Sequence, residues 1–154
     1  MAAGAARADD SPARQLVRLF AEVCLRSLTE FGPAVDELRA RGFELTRAGI
    51  NRMYEVWDPR TSTGGYVAPG RDRHEERGCG VSSESATRKP VVELVAALLR
   101  TRSDVSFGAW SFGDPSMTGW RAEVQDGQVF VVVGPGPSDR PDRGVSLHVD
   151  FQRD

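Results

Sequence analysis

A chain of 154 residues, 40% hydrophobic and 27% charged, has the size and composition of one globular domain. Its formal net charge of −2 gives no field that would gather nucleic-acid phosphates, and no apolar stretch is long enough to cross a bilayer as a helix. Lys89 is the only lysine among 20 basic residues, and the arginines are spread along the chain. That fits a compositional bias, not a binding patch.

Residues 1–10 are rich in alanine and lack periodicity, so they read as a disordered tail or the remnant of a signal peptide, with 11–154 as a single α+β domain. An apolar h-region is missing, yet Ala6-Arg7-Ala8 before Asp9 has the small-x-small form of a signal-peptidase site. The expectation is an export signal whose start lies upstream; the alternative is a disordered cytosolic N-terminus.

Ser11-Pro12 opens a helix as N-cap and first-turn proline. Leu16, Val17, Phe20, Val23, Cys24 and Leu28 follow at helical spacing, which predicts an amphipathic helix over 12–28. A short helix from Pro33 carries Val35 and Leu38 inward and stops at Gly42, a left-handed C′ residue. Residues 44–57 read as one extended stretch ended by Asp58-Pro59. Residues 60–78 form a long polar loop or flap with the sign-alternating cluster Arg71 to Arg77. Gly78 to Val81 reads as a short strand antiparallel to the one at Tyr54.

Pro90 to Arg100 is the third helix, apolar over more than one stripe and therefore expected to be well covered. Residues 105–112 suggest a strand weakened by Gly108. Trp120, Ala122 and Val124 alternate with polar residues, Asp126-Gly127 is expected to form a type I′ turn, and Val129, Val131 and Val133 return. After a Pro/Gly-rich loop, Val145, Leu147, Val149 and Phe151 alternate with Ser146, His148 and Asp150, a strand with one wet face. No internal repeat is visible. This order predicts α+β architecture: an antiparallel sheet of about five strands with two to three helices mainly on one face.

Two readings of Cys24 and Cys79 stand side by side: one disulfide pinning the first helix to the sheet, or two separate buried thiols. A catalytic thiol is disfavoured, because neither cysteine has a histidine beside it in sequence or opens a helix. The layout Phe20-x-x-x-Cys24, then Gly42-Phe43, then Cys79-x-Val81, resembles small exported proteobacterial proteins of unknown function, over roughly residues 15–100. That resemblance implies a periplasmic setting and a helix-to-strand disulfide, and it carries no catalytic residues.

Motifs for chemistry are missing. Lys89 lacks the glycine context of a phosphate-binding loop, and no G-x-S-x-G elbow exists. Two histidines do not supply the ligands of a metal site, and no cofactor is expected. His148 and Asp150 lie two apart on one strand, so they share a face and are the candidate acid–base pair, with His74 as a remote third member. The expected binding residues are Arg73 and His74 in the charged cluster, and Trp110, Trp120 and Arg121 as an aromatic surface. The leading expectation is a non-enzymatic binding or accessory domain, exported to the periplasm or secreted, for an unknown protein or small ligand. The alternatives are a hydrolase-like enzyme using His148 and Asp150, an interaction subunit that oligomerises through an exposed edge such as the final strand, and, for location, the cytoplasm.

Overall fold

The structure is a computed structural model, and it describes residues 11–29, 31, 33–50, 53–68, 77–136 and 144–154. Among these, three helices and eight strands form: α1 (Pro12–Val23), α2 (Ala34–Ala40), β1 (Glu44–Ile50), β2 (Met53–Asp58), β3 (Thr63–Ala68), β4 (Arg77–Ser83), α3 (Arg88–Arg100), β5 (Gly108–Trp110), β6 (Thr118–Val124), β7 (Gly127–Pro135) and β8 (Val145–Arg153). All strands join one antiparallel sheet in the order β1-β2-β3-β4-β8-β7-β6-β5.

The α+β class and antiparallel sheet stand, but the expectation of about five strands is wrong; the sheet has eight. Two strands were hidden, and the weak strand suggested at 105–112 is real but short, β5. The extended stretch at 44–57 is two strands, β1 and β2, with Ile50 paired to Met53. The polar segment after Arg60 is not all loop, because β3 occupies Thr63–Ala68 despite Gly64-Gly65. β4 therefore pairs with β3 and β8, not with the strand at Tyr54. The final strand is not an edge either; β8 lies between β4 and β7 at the centre of the sheet. The edges are β1 and β5.

α1 begins as expected, with Ser11 Oγ accepting from the Arg14 N–H at 3.3 Å and proline behind it. It ends at Val23, earlier than the periodicity suggests. The Phe20 carbonyl accepts from both Cys24 and Leu25, which closes the helix, while Leu25 and Leu28 stay buried in the segment that follows. α2 closes in a Schellman motif: Phe43 N–H bonds the Leu38 carbonyl and Gly42 N–H bonds that of Arg39, with Gly42 at φ 98°. Leu38 and Phe43, both buried, supply its apolar contact.

The helices pack on one face, α2 under β2 and β3, α1 under β4 and β8 and against α3, and α3 under β7. The core forms there from Leu16, Phe20 and Leu38 with Val56, Val81, Val131, Leu147, Val149 and Phe151. α3 is covered on one stripe only; Val91, Val95 and Leu99 are buried, whereas Val92, Leu94 and Leu98 are half-buried. Cys24 and Cys79 form a disulfide, both fully buried, joining the C-terminus of α1 to the middle of β4.

Candidate functional site

Two places on the molecule could hold a ligand. The first is a cleft of about 250 Å³ between α1 and the end of β2, β3 and β4, lined by Gln15, Leu19, Arg41, Asp58, Thr63 and Ser83 among others. Asp58 and Ser83 are the buried polar residues of this end. Each is already satisfied locally. Asp58 accepts from the Arg60 backbone N–H and its guanidinium at 3.0–3.1 Å, and that hydrogen-bonded guanidinium holds the carboxyl below its ordinary range. Arg60 also reaches the Arg41 carbonyl, at 3.2 Å, so the pair ties the β2–β3 turn to the end of α2. Ser83 Oγ accepts from the N–H groups of Ser85 and Ala86. These bonds assign the buried polar groups to scaffold.

The second place is the sheet face turned away from the helices. Side chains alternate across each strand, so the register fixes the occupants of this face. β8 contributes Ser146, His148 and Asp150; β7 contributes Phe130 and Val132; β6 contributes Gly119 and Arg121. Trp110 of β5 is opposite Gly119 and belongs to the same face.

At the β5 end these residues touch. The Trp110 and Phe130 rings meet edge-on with centroids 6.1 Å apart, and Phe112 meets Phe130 at 6.0 Å. The Arg121 guanidinium lies over the Trp110 ring, 4.2 Å from its centroid. Gly119 has no side chain because Phe112 occupies that space; a β-carbon there would stand 2.0 Å from the ring. Arg88 holds the loop that carries Phe112, donating to the Ser116 and Pro115 carbonyls and to Thr118 Oγ1. Phe130 and Val132 are thereby buried, while Trp110 remains 40% exposed.

Trp120 is paired with Val131 and packs against the core on the helix-covered face, so it does not join Trp110 and Arg121. Trp110 and Arg121 share a face and touch. Arg73 and His74 lie outside the described residues.

His148 and Asp150 share this face, with His148 Nε2 at 3.4 Å from Asp150 Oδ2. His148 is opposite Val132 on one side and Gly80 on the other. Burial pushes the imidazole below its ordinary value, and the Asp150 carboxylate opposes that by a smaller amount. Asp150 is the only polar partner of His148 among the described residues, and the cleft does not include either. No group of three or more His, Cys, Asp or Glu side chains suited to a metal occurs among the described residues.

Phe130 and Val132 are the site residues that alternation misses. The signal was present: residues 129–133 are five apolar side chains in a row, the pattern of a strand buried on both faces. The chain matches no protein-family model, no curated protein and no solved structure.

Proposed function

We propose that this chain is a non-catalytic binding domain of an exported protein, and that it holds its ligand on the sheet face opposite the helices. The observation that carries the reading is the Trp110–Arg121 corner, an exposed aromatic ring with a cation over it on a face where no described helix packs. Exposed aromatic and arginine side chains are the residues that anchor interfaces. The disulfide supports export, since such bridges persist in oxidising compartments, and the resemblance to small exported proteobacterial proteins points the same way. No helix among the described residues is long and apolar enough to span a membrane.

The His148–Asp150 pair favours a second reading, acid–base hydrolysis, because an imidazole kept neutral can accept a proton. It ranks below the first because no hydroxyl or thiol among the described residues is hydrogen-bonded to His148 to serve as its nucleophile. A panel of chromogenic esters, amides and phosphoesters separates the two. Binding without catalysis predicts the same background rate for the wild type and His148→Ala; turnover lost in that variant would replace it with the hydrolase. Export is tested by fractionating the native host: the chain should be outside the cytoplasm with no alkylatable thiol.

A further inference from the structure

If the sheet face binds a partner, as proposed above, the edges of the sheet say what the β5 corner takes. The two edges of the sheet differ. β1 is irregular, with register breaks between Leu45 and Arg47 and between Arg47 and Ile50. Such bulges protect an edge from further pairing. β5 pairs with β6 without a break, and all three of its residues are exposed. Among the described residues its backbone makes no hydrogen bond beyond β6. It holds no proline, lysine or inward charge to blunt it, and a β-carbon built on Gly108 meets nothing within 4 Å. Three residues give little affinity through backbone pairing alone, so an added strand needs a side-chain anchor.

Arg121 supplies that anchor. Its guanidinium carbon lies over the Trp110 ring, 4.2 Å from the centroid, and no carboxylate among the described residues pairs with it. A guanidinium held over a ring, its N–H groups not taken by a carboxylate, can make two parallel hydrogen bonds to one. Backbone edge and fork together are satisfied by one occupant. We infer that β5 is a strand-addition site for an extended, acidic segment of a partner protein, its backbone paired with Gly108–Trp110, an Asp or Glu on Arg121 and an apolar side chain against Trp110.

The test is an NMR titration of the full disulfide-bonded chain with two capped peptides, one alternating valine and glutamate, the other valine and lysine. The inference predicts saturable shifts at Gly108, Ala109 and Trp110 with the acidic peptide only. Arg121→Gln should weaken that binding about tenfold, and Arg121→Lys, which keeps charge but not the fork, should fall between. A dispersed spectrum of each variant checks that it is folded. Equal binding of both peptides, binding unchanged in Arg121→Gln, or no binding of the acidic peptide overturns the inference. So does a dimer by light scattering that Arg121→Gln dissolves, which would put a second copy on this edge. Shifts confined to the His148 region remove the β5 assignment while leaving the binding reading intact; His148-dependent turnover removes that reading.

Discussion

Gly127 is held by contact, not by conformation. A β-carbon there would stand 2.2 Å from the Gln152 carbonyl oxygen and 3.0 Å from Arg153 Cα, both backbone atoms of β8. Gly127→Ala is therefore expected to cost about 1–3 kcal/mol, seen as a lower urea midpoint with an unchanged slope; an unchanged midpoint would show that β8 yields. The sequence suggests a different role for it, in a type I′ turn with Asp126. In the structure Val124 pairs with Gly127, so Gln125 and Asp126 connect the strands and Asp126 carries the positive φ of 70°. The Asp-Gly pair marks the hairpin correctly but leaves its register open by one residue. His148 gives a pH prediction. Its folded pKa lies below the ordinary 6.5, so the unfolded chain binds the proton more readily. Stability should fall as pH drops below about 6.5, until the folded imidazole itself titrates. The loss should be smaller in His148→Gln, measured by thermal unfolding across pH. Asp58, Asp104 and Asp114 are held low by Arg60, Arg102 and Ser116 hydrogen bonds, so their contributions persist until pH falls below about 3.8 and do not mask that window.

At the scale of elements, helix starts and strand alternation are well written in the sequence, and ends and edges are not. Ser11-Pro12 opens α1 by local chemistry alone, so Ser11→Ala should destabilise the chain by about 1 kcal/mol in chemical denaturation. The end of α1 is set by tertiary demand. Leu25 and Leu28 are buried and keep the apolar spacing, although the backbone has left the helix by Cys24. The missed strand β3 contains two adjacent glycines, a composition that depresses strand propensity. The neighbours explain them: a β-carbon on Gly65 would meet Leu38 at 2.8 Å, and one on Gly64 would meet Trp57 and Ser82. Such reasons are visible only once α2 and β4 are in place. The aromatic corner depends on the loop after β5 in the same way. Arg88→Ala removes its clamp and should raise amide exchange of residues 111–117 while α3 stays protected; unchanged exchange would mean that Phe112 alone holds the loop.

Across the whole molecule, the topology repeats where the sequence does not. A helical segment followed by a four-stranded antiparallel meander occurs twice, β1 to β4 and β5 to β8, and the last strands of the two meanders pair at the centre of the sheet. Helix α1 lies under that seam, and the disulfide fastens it there to β4. Closing 55 residues restricts the unfolded chain by about 4 kcal/mol in the chain-entropy model. Cys24→Ser with Cys79→Ser should lower unfolding free energy by about that amount, and a loss under about 1 kcal/mol would show that packing alone holds the seam. The same arrangement commits all three helices to one face and leaves the other, among the described residues, without a helix, the face on which we propose recognition. That division is tested most directly by placing a photo-crosslinking residue either at Trp110 or at Glu93, an exposed position of α3, in the native host. The account predicts a discrete adduct from position 110, lost when Arg121→Gln is added, and none from position 93. Adducts from position 93 alone, or equal adducts insensitive to Arg121, would contradict it.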